Sequence, residues 1–256
     1  MNKIEAVIFD WAGTTVDYGC FAPVRAFLEV FREAGIEPEI EEVRGPMGVL
    51  KRDHIRIMLE MDRIRGLWKE KYGRDPRQED VDVLYSRFEP ALLGILDQYS
   101  GLKPYVKETV EALRDRGIRI GSTTGYTDVM MEIVVPRAAK LGYAPDCWFS
   151  PDSVGGAGRP YPYMIFKNME TLKIGSVKNV MKAGDTVSDI KEGKNAGVFT
   201  VGILEGSSAL GLSQEEYQAL DEETREKLLK ETEEKFLRAG ADAVVRDIRG
   251  ILEYLG

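Results

Sequence analysis

Three short polar stretches in this sequence each follow an apolar run, and their side chains could together bind a charged group. The runs and the stretches after them are 4–9 before Asp10, 118–122 before STTGY (122–126), and 179–183 before GDTVSD (184–189). Singly, each stretch is weak, because an Asp or Thr after a strand is often a helix cap or a turn residue. In a parallel sheet, however, ligands bind beyond the carboxyl ends of the strands. We therefore expect Asp10, Asp185 and the hydroxyl groups of 122–124 to share one crevice.

Two carboxylates in one crevice repel each other unless a cation lies between them. Mg²⁺ is a hard cation that favours one or two carboxylates together with phosphate oxygens. Asp10 and Asp185 therefore predict a Mg²⁺ site that acts on a phosphoryl group. Ala12 is unexpected, because it stands two residues after Asp10, where a second carboxylate would be useful.

A second candidate centre is GPMGVLKRDH (45–54), in which Lys51 and His54, the one histidine of the chain, are three residues apart. Positions i and i+3 are neighbours on one side of a helix. Alone, Lys51 is more simply a solvated surface lysine, and His54 an imidazole at the edge of the core. A lysine desolvated over a closed cleft, however, has a lowered pKa, and its neutral amine can attack a carbonyl carbon.

The imine formed by such a lysine would explain Ala12. In a phosphonate that carries a carbonyl one carbon from the C–P carbon, direct cleavage would expel a carbanion. Through a protonated imine the electron pair passes to nitrogen, and the leaving group is an enamine. No proton donor is then required at position 12, so Lys51 and Asp10 would act on the same substrate.

The elements that position these residues are those of an α/β fold. Buried strands are predicted by the apolar runs 4–9, 118–122, 147–149, 179–183, 199–203 and 243–245. Helical segments separate the later runs. This alternation indicates a Rossmann-like parallel sheet with helices on both faces.

Residues 21–99 differ, because they show helical spacing and little strand signal. They predict an all-helical cap domain inserted into a core of 1–20 and 100–256. The chain would cross between the two near Gly19 and near 100–101, which are predicted hinges.

Prolines and charge give further expectations for the helices. The first cap helix is expected to begin with Pro23 at its first position and to stop at Gly35. Pro90 predicts a kink or break in a later helix. The stretch 213–240 is rich in Glu and Lys, which favours a solvated helix or helix pair at the surface.

Composition excludes several classes of function. The 256 residues are 43% hydrophobic and 30% charged, with a net charge of −8, so an ordinary soluble globular protein is expected and a nucleic-acid partner is not. No apolar run approaches a membrane span or a signal peptide. Two cysteines, Cys20 and Cys147, are too few for a disulfide framework, which favours a cytoplasmic setting.

The motifs DWAGTT, STTGY, GRPYP and GDTVSD together resemble the haloacid dehalogenase superfamily. The resemblance implies that Asp10 attacks phosphorus and passes through an aspartyl-phosphate. It implies that Thr124 and neighbouring amides hold the phosphoryl group and that Arg159, otherwise a solvated loop residue, bridges nucleophile and phosphate. The implied metal site comprises Asp10, the backbone carbonyl of Ala12, Asp185 and Asp189.

Position 12 narrows the resemblance, since phosphomonoesterases of the superfamily carry a second Asp there as general acid. With GPMGVLKRDH, the combination is similar to the phosphonatase family, which hydrolyses phosphonoacetaldehyde with Mg²⁺ in 2-aminoethylphosphonate breakdown and dimerises through the cap. The family implies that Lys51 forms the imine and His54 moves protons near it. The implied substrate-binding residues are Cys20, Met47, Gly125 and Tyr126, although Cys20 and Met47 could equally be packing residues.

Two other interpretations remain open at this point. A phosphomonoesterase or phosphomutase of the same fold would use Asp10 but would lack an acid at position 12. A phosphate-binding module without catalysis would have no need of Asp10, Asp185 and Lys51 together. Within the imine hypothesis Lys182 is a rival amine, but it lies on a core strand and alternation turns it away from its neighbours.

Overall fold

Six parallel strands form one sheet in the structure, a computed structural model that describes residues 3–256. The strands are β1 (Ala6–Phe9), β2 (Arg119–Thr123), β3 (Cys147–Phe149), β4 (Val180–Gly184), β5 (Phe199–Ile203) and β6 (Ala243–Val245). Their order across the sheet is β3-β2-β1-β4-β5-β6, and every neighbouring pair is parallel. The six predicted strands are all present, with ends shifted by two residues at most.

Helices cover both faces of the sheet, as predicted. The core helices are α6 (Val106–Asp115), α7 (Asp128–Leu141), α8 (Tyr163–Leu172), α9 (Val187–Ala196), α10 (Gln214–Ala219) and α11 (Glu222–Ala239). Strand β1 is buried on both sides, because Val7 and Phe9 join one apolar cluster and Ala6 and Ile8 another. An apolar run without alternation is the pattern of a strand enclosed in this way.

The segment 21–99 consists of helices and the loops that join them, and it contributes no strand to the sheet. Its helices are α1 (Phe21–Glu33), α2 (Ile40–Arg44), α3 (Lys51–Glu60), α4 (Asp62–Tyr72) and α5 (Gln78–Leu96), followed by a 3₁₀ turn at Asp97–Tyr99. Helix α5 packs against α1 and α3, and Phe88 stacks on Phe27 with ring centroids 4.2 Å apart. The helical insert is therefore confirmed, whereas its treatment as a separate domain stays a prediction.

The expectation for Pro23 was wrong, because α1 begins two residues before it. No break occurs at Pro90, since α5 continues through it, and the alternative of a kink there stays a prediction. Proline is tolerated in the first turn because the amide it lacks would have no partner there. The expectation for 213–240 was correct, since α10 and α11 form a largely exposed pair.

The sheet brings the predicted motifs together where its strand order reverses. Phe9 at the end of β1 lies beside Ala183 on one side and Ser122 on the other. Ligands bind at such a switch point in open α/β sheets. Within the described residues, no helix has the length and apolarity to cross a bilayer.

Candidate active site

Three buried carboxylates meet at the switch point. Asp10 follows β1, Asp185 follows β4, and Asp189 lies in the first turn of α9; their oxygens come within 4.8 Å of one another. The backbone of Asp10 donates to the carbonyl of Ala183 at 3.0 Å, which extends the pairing of the two strands by one residue. The predicted convergence of Asp10 and Asp185 is therefore present in the geometry.

Asp185 is fixed from two sides. The hydroxyl of Thr14 donates to its Oδ1 at 2.7 Å, and the amide of Ser208 donates to its Oδ2 at 2.8 Å. Gly13 lies against the same carboxylate with a φ of +90°, and a Cβ at position 13 would overlap it. Only glycine suits that position, both for its left-handed backbone and for the close approach.

The electrostatics of the cluster fit a divalent cation. Burial, and next the carboxylate of Asp10, hold the pKa of Asp185 well above its usual range. Burial, and next Asp189, likewise raise the pKa of Asp10. Among the described residues, the Ala12 carbonyl accepts no hydrogen bond and the buried Ser208 hydroxyl has no partner. Oxygen donors that lack partners are the ligand set of a hard cation, so these residues could hold one.

Arg159 lies inside the site, not in solvent. Its guanidinium forms ion pairs with Asp10 at 2.7 Å, Asp189 at 3.1 Å and Glu192 at 2.9 Å. It also donates to the carbonyl of Thr123 at 2.9 Å. A planar guanidinium with several donors can hold a carboxylate and present its remaining edge to a phosphoryl group.

Lys182 belongs to the same charged network and takes no part in the cavity. Its amine lies 3.0 Å from Asp189, 3.3 Å from Glu192 and 2.9 Å from the hydroxyl of Thr123. Sequence reasoning missed Glu192. The available signal was its spacing, since 189 and 192 share one face of α9.

A small cavity lies between the sheet edge and the helical insert. It is lined by Asp10, Ala12, Cys20, Met47, Gly48, Lys51, Thr124, Gly125, Tyr126, Arg159 and Thr186. The nucleophile, the phosphoryl-binding residues and the four substrate-binding residues predicted from the sequence are thus brought together. Gly48 and Thr186 were not predicted.

The Lys51 amine lines this cavity and has no hydrogen bond or ion pair within the described part of the chain. Lys51 begins α3 and is 3% exposed, and its Nζ lies 5.1 Å from the ring centroid of Tyr126. Burial lowers its pKa below 10.5, because the charged ammonium loses its hydration. The interpretation as a solvated surface lysine is therefore excluded by the geometry.

His54 lies behind Lys51 and does not line the cavity. Its ring stacks on Phe27 with centroids 3.8 Å apart, and its Nε2 lies 2.8 Å from the carbonyl of Val43. Its Nδ1 is buried with no partner in residues 3–256. Burial, with a smaller effect of Lys51, holds the pKa of His54 well below 6.5, so the imidazole is neutral. Its role in proton transfer stays a prediction.

The loop before α3 closes the cavity. The Ser188 hydroxyl donates to the Met47 carbonyl at 3.1 Å, and Gly48 lies so close to Thr186 that a Cβ would overlap its hydroxyl. A Cβ on Gly125 would lie 3.0 Å from the carbonyl of Val49. These contacts place the loop directly on the ends of β2 and β4, which shields the cavity from water.

Two further buried groups border the site. Cys20 is the N-cap of α1, and burial raises the pKa of its thiol well above 9.0, so it is a neutral thiol. Lys103, which sequence reasoning missed, donates to the carbonyls of Gly13 and of Glu205, the latter at 2.6 Å. Burial lowers the pKa of Lys103 to about 8. No sequence signal distinguished this lysine from a surface one.

Comparisons with known proteins show the family to which the chain is similar. The model of the haloacid dehalogenase-like hydrolase family matches residues 4–197. A phosphonoacetaldehyde hydrolase of Lysinibacillus sphaericus is 51% identical over 97% of this chain and 93% of its own length. A bifunctional phosphonoacetaldehyde hydrolase/aminoethylphosphonate transaminase of Clostridioides difficile is 50% identical, but the chain spans only 40% of its length. A crystal structure of a phosphonoacetaldehyde hydrolase-like protein from Oleispira antarctica has a TM-score of 0.96 at 37% identity, covering 99% of this chain and 92% of the other.

Proposed function

Because the chain belongs to the phosphonoacetaldehyde hydrolases, within the haloacid dehalogenase-like hydrolases, we propose that it hydrolyses phosphonoacetaldehyde to acetaldehyde and phosphate. One observation carries the proposal. The buried amine of Lys51 lines the same cavity as Asp10, while position 12 offers no side-chain acid. When a carbon–phosphorus bond breaks, the electron pair left on carbon must pass to a conjugated group such as an iminium ion. No alkoxide leaves, so no general acid is needed to protonate one.

The first step is imine formation at Lys51. Burial lowers the pKa of the amine, so a larger fraction is neutral and can attack the aldehyde carbon. Water leaves, and the nitrogen accepts a proton to give an iminium ion. The partnerless Nδ1 of the neutral His54 ring, next to Lys51 on α3, supports a role for that residue in moving the proton.

The second step is attack of the Asp10 carboxylate on phosphorus. The new O–P bond forms as the C–P bond breaks, and the released electron pair passes to the iminium nitrogen to give an enamine. Arg159 holds Asp10 at 2.7 Å and would bind the phosphoryl oxygens with Thr124 and the amides beside it. Protonation of the enamine carbon and hydrolysis release acetaldehyde from Lys51, and water releases phosphate from Asp10.

Mg²⁺ is the proposed cofactor, held by Asp10, Asp185 and the Ala12 carbonyl with Asp189 in support. When bound, it would neutralise carboxylate charge and phosphoryl charge in a site where both are buried. Burial, and next the repulsion between the carboxylates, raise the pKa values of Asp10 and Asp185, and this supports the assignment because a bound divalent cation would offset both effects.

The cavity residues supply shape and exclude water. Tyr126 lies beside the Lys51 amine, and Met47 and Cys20 complete the apolar part of the lining with Gly125. A closed, dry cavity keeps the amine neutral and protects the imine from early hydrolysis. The phosphomonoesterase alternative has no comparable support, because hydrolysis of a phosphate ester does not use a buried amine such as that of Lys51.

Three further proposals rest on the family resemblance. The chain would act in 2-aminoethylphosphonate breakdown, which the transaminase half of the Clostridioides difficile relative supports. It would be cytoplasmic, and it would form a homodimer through the helical insert. Sedimentation velocity should then give a particle of about twice the 28.7 kDa chain mass; a monomer at micromolar concentration would contradict the dimer.

Reductive trapping tests the imine. Borohydride added with phosphonoacetaldehyde should inactivate the protein irreversibly, and peptide mapping should find the label on Lys51. The Lys51→Arg variant is the control and should take no label. The Asp10→Asn variant should still be labelled but release no phosphate, which separates the two steps. A label on another lysine, or none, would refute the mechanism.

A further inference from the structure

We propose that Arg44 is a positioning residue that holds the helical insert closed on the sheet and couples this closure to the metal carboxylate Asp185. Arg44 is the last residue of α2, and it contacts neither the cavity nor the carboxylate cluster directly. The proposal deepens the proposed function, on which its catalytic meaning rests. Its contacts can be tested without the substrate.

The guanidinium of Arg44 bridges the two parts of the chain. Its Nη1 donates to the carbonyl of Gly19 at 2.9 Å and to that of Ser208 at 3.1 Å, and its Nη2 donates to that of Gly211 at 3.2 Å. Gly19 stands at the first predicted hinge, and the other two acceptors belong to the loop after β5. One cap side chain therefore binds three backbone carbonyls outside the insert.

The same loop holds Asp185. The Ser208 carbonyl accepts from Arg44 while the Ser208 amide donates to Asp185 Oδ2 at 2.8 Å. Opening of the insert would remove the first bond and release the loop that orients the carboxylate. Two sites joined through one structural element influence each other reciprocally, so closure should strengthen cation binding and cation binding should favour closure.

The surroundings are shaped for an arginine. The Phe21 ring lies 5.0 Å from the guanidinium carbon, and a Cβ on Gly211 would lie 2.7 Å from the Arg44 Nε. A planar group with several fixed donors can serve three carbonyls at once, whereas a lysine ammonium on a flexible stem serves fewer in one geometry. Arg44→Lys should therefore retain part of the effect.

Alkylation of Cys20 reports closure independently of turnover. Cys20 is 3% exposed in the closed cavity, and the one other thiol can be removed as Cys147→Ser. In that background, Arg44→Ala should be alkylated by iodoacetamide about tenfold faster, because each lost hydrogen bond shifts the opening equilibrium severalfold. Arg44→Lys should be intermediate. The matched control is Arg32→Ala, since Arg32 pairs only with Glu37 within the insert and is largely exposed.

Calorimetric titration with Mg²⁺ alone tests the link to Asp185. The dissociation constant should rise about fivefold or more in Arg44→Ala, in the range of ordinary coupling between sites, and should be unchanged in Arg32→Ala. An unchanged alkylation rate overturns the closure role, and an unchanged Mg²⁺ constant overturns the coupling. If Arg44→Ala does not fold, Arg44→Lys carries both measurements. Neither readout uses Lys51 chemistry, so failure of the imine mechanism would be seen separately, in borohydride trapping.

Discussion

Lys51 and Lys182 are both buried, but their surroundings differ in almost every other respect. Lys182 lies in the middle of the sheet between Asp189 and Glu192, with an ion pair to each. Lys51 begins a helix of the insert and faces a cavity, and its Nζ lies 5.1 Å from the ring centroid of Tyr126. Burial alone is therefore not enough to predict a reactive lysine; the proposed mechanism assigns reactivity to Lys51 because no carboxylate among the described residues forms an ion pair with its ammonium.

The difference follows from where each lysine stands in the chain. Lys182 is on β4, and the helix that follows, α9, returns over the sheet and brings Asp189 and Glu192 to it. Lys51 reaches its site from an insert, so its burial depends on closure of the loop 45–50. A reactive amine that is desolvated only on closure stays protonated and inert while the site is open.

The largest predicted effect is loss of turnover when the cavity amine is removed. Lys51→Met should lower kcat for phosphate release from phosphonoacetaldehyde about a thousandfold or more, because no imine can accept the electrons of the C–P bond. A malachite-green assay for phosphate measures this. Circular dichroism should show an unchanged fold. A kcat within tenfold of the wild-type value would contradict the assignment of Lys51 as the reactive lysine.

Removal of the paired lysine should instead unfold the protein more easily. Lys182→Met leaves the buried carboxylates of Asp189 and Glu192 to share the single guanidinium of Arg159, and it should lower the free energy of unfolding by about 3–5 kcal/mol. Urea denaturation followed by fluorescence measures it. Lys182→Arg keeps the positive charge and is the control that separates loss of charge from a change of side chain. If Lys182→Met is as stable as the wild type, the ion-paired network has no structural role.

A double-mutant cycle sharpens the same contrast. Lys182→Met combined with Glu192→Gln should be less destabilising than the two single changes added, with a coupling of about 0.5–3 kcal/mol. The exposed pair Arg32–Glu37 is a matched reference and should couple much more weakly, because water screens both charges. Equal coupling in the two pairs would show that burial adds nothing to the network.

The smallest effect concerns stability and pH at Lys51. Its folded pKa lies below its unfolded value, so between the two the unfolded chain binds more protons and stability of the wild type rises with pH. Lys51→Met has no ammonium to bury and therefore avoids the free-energy cost of desolvating that charge. It should be more stable than the wild type near pH 7, and the difference should shrink as pH rises toward 10.5. Thermal unfolding across this range checks the sign, and a difference that grows with pH would contradict it.

Residues that act through local chemistry were predictable from the sequence. Asp10 and Asp185 follow strongly apolar strands, and parallel strands end at one edge, so their meeting required no knowledge of loops. Lys51 was predictable only in combination with Ala12, because each alone has a simpler explanation. The strands were found because their apolar runs are continuous, and helix ends were less accurate because Pro23 is compatible with several positions in a first turn.

Residues that act through distant backbone groups were not predictable. Lys103 contacts the carbonyl of Gly13, 90 positions away, and Arg44 contacts that of Ser208, 164 positions away. Every residue has a backbone carbonyl, so the residue types in the sequence do not show which carbonyls act as acceptors. For His54 the helical spacing to Lys51 was correct, but its Nε2 contact with Val43 depends on how α2 and α3 lie against each other.

The central position of β1 has a consequence for biosynthesis. This strand is translated before the other five, yet Ala6 pairs with Arg119 on one side and with Val180 on the other. At translation rates of about 5–20 residues per second, the second partner emerges on the order of ten seconds after the strand itself. The insert helices, whose contacts are closer in sequence, can associate earlier. During synthesis the apolar segment AVIF of β1 therefore leaves the ribosome before its strand partners are available. Ribosome-bound chaperones should crosslink to this segment until β4 has emerged.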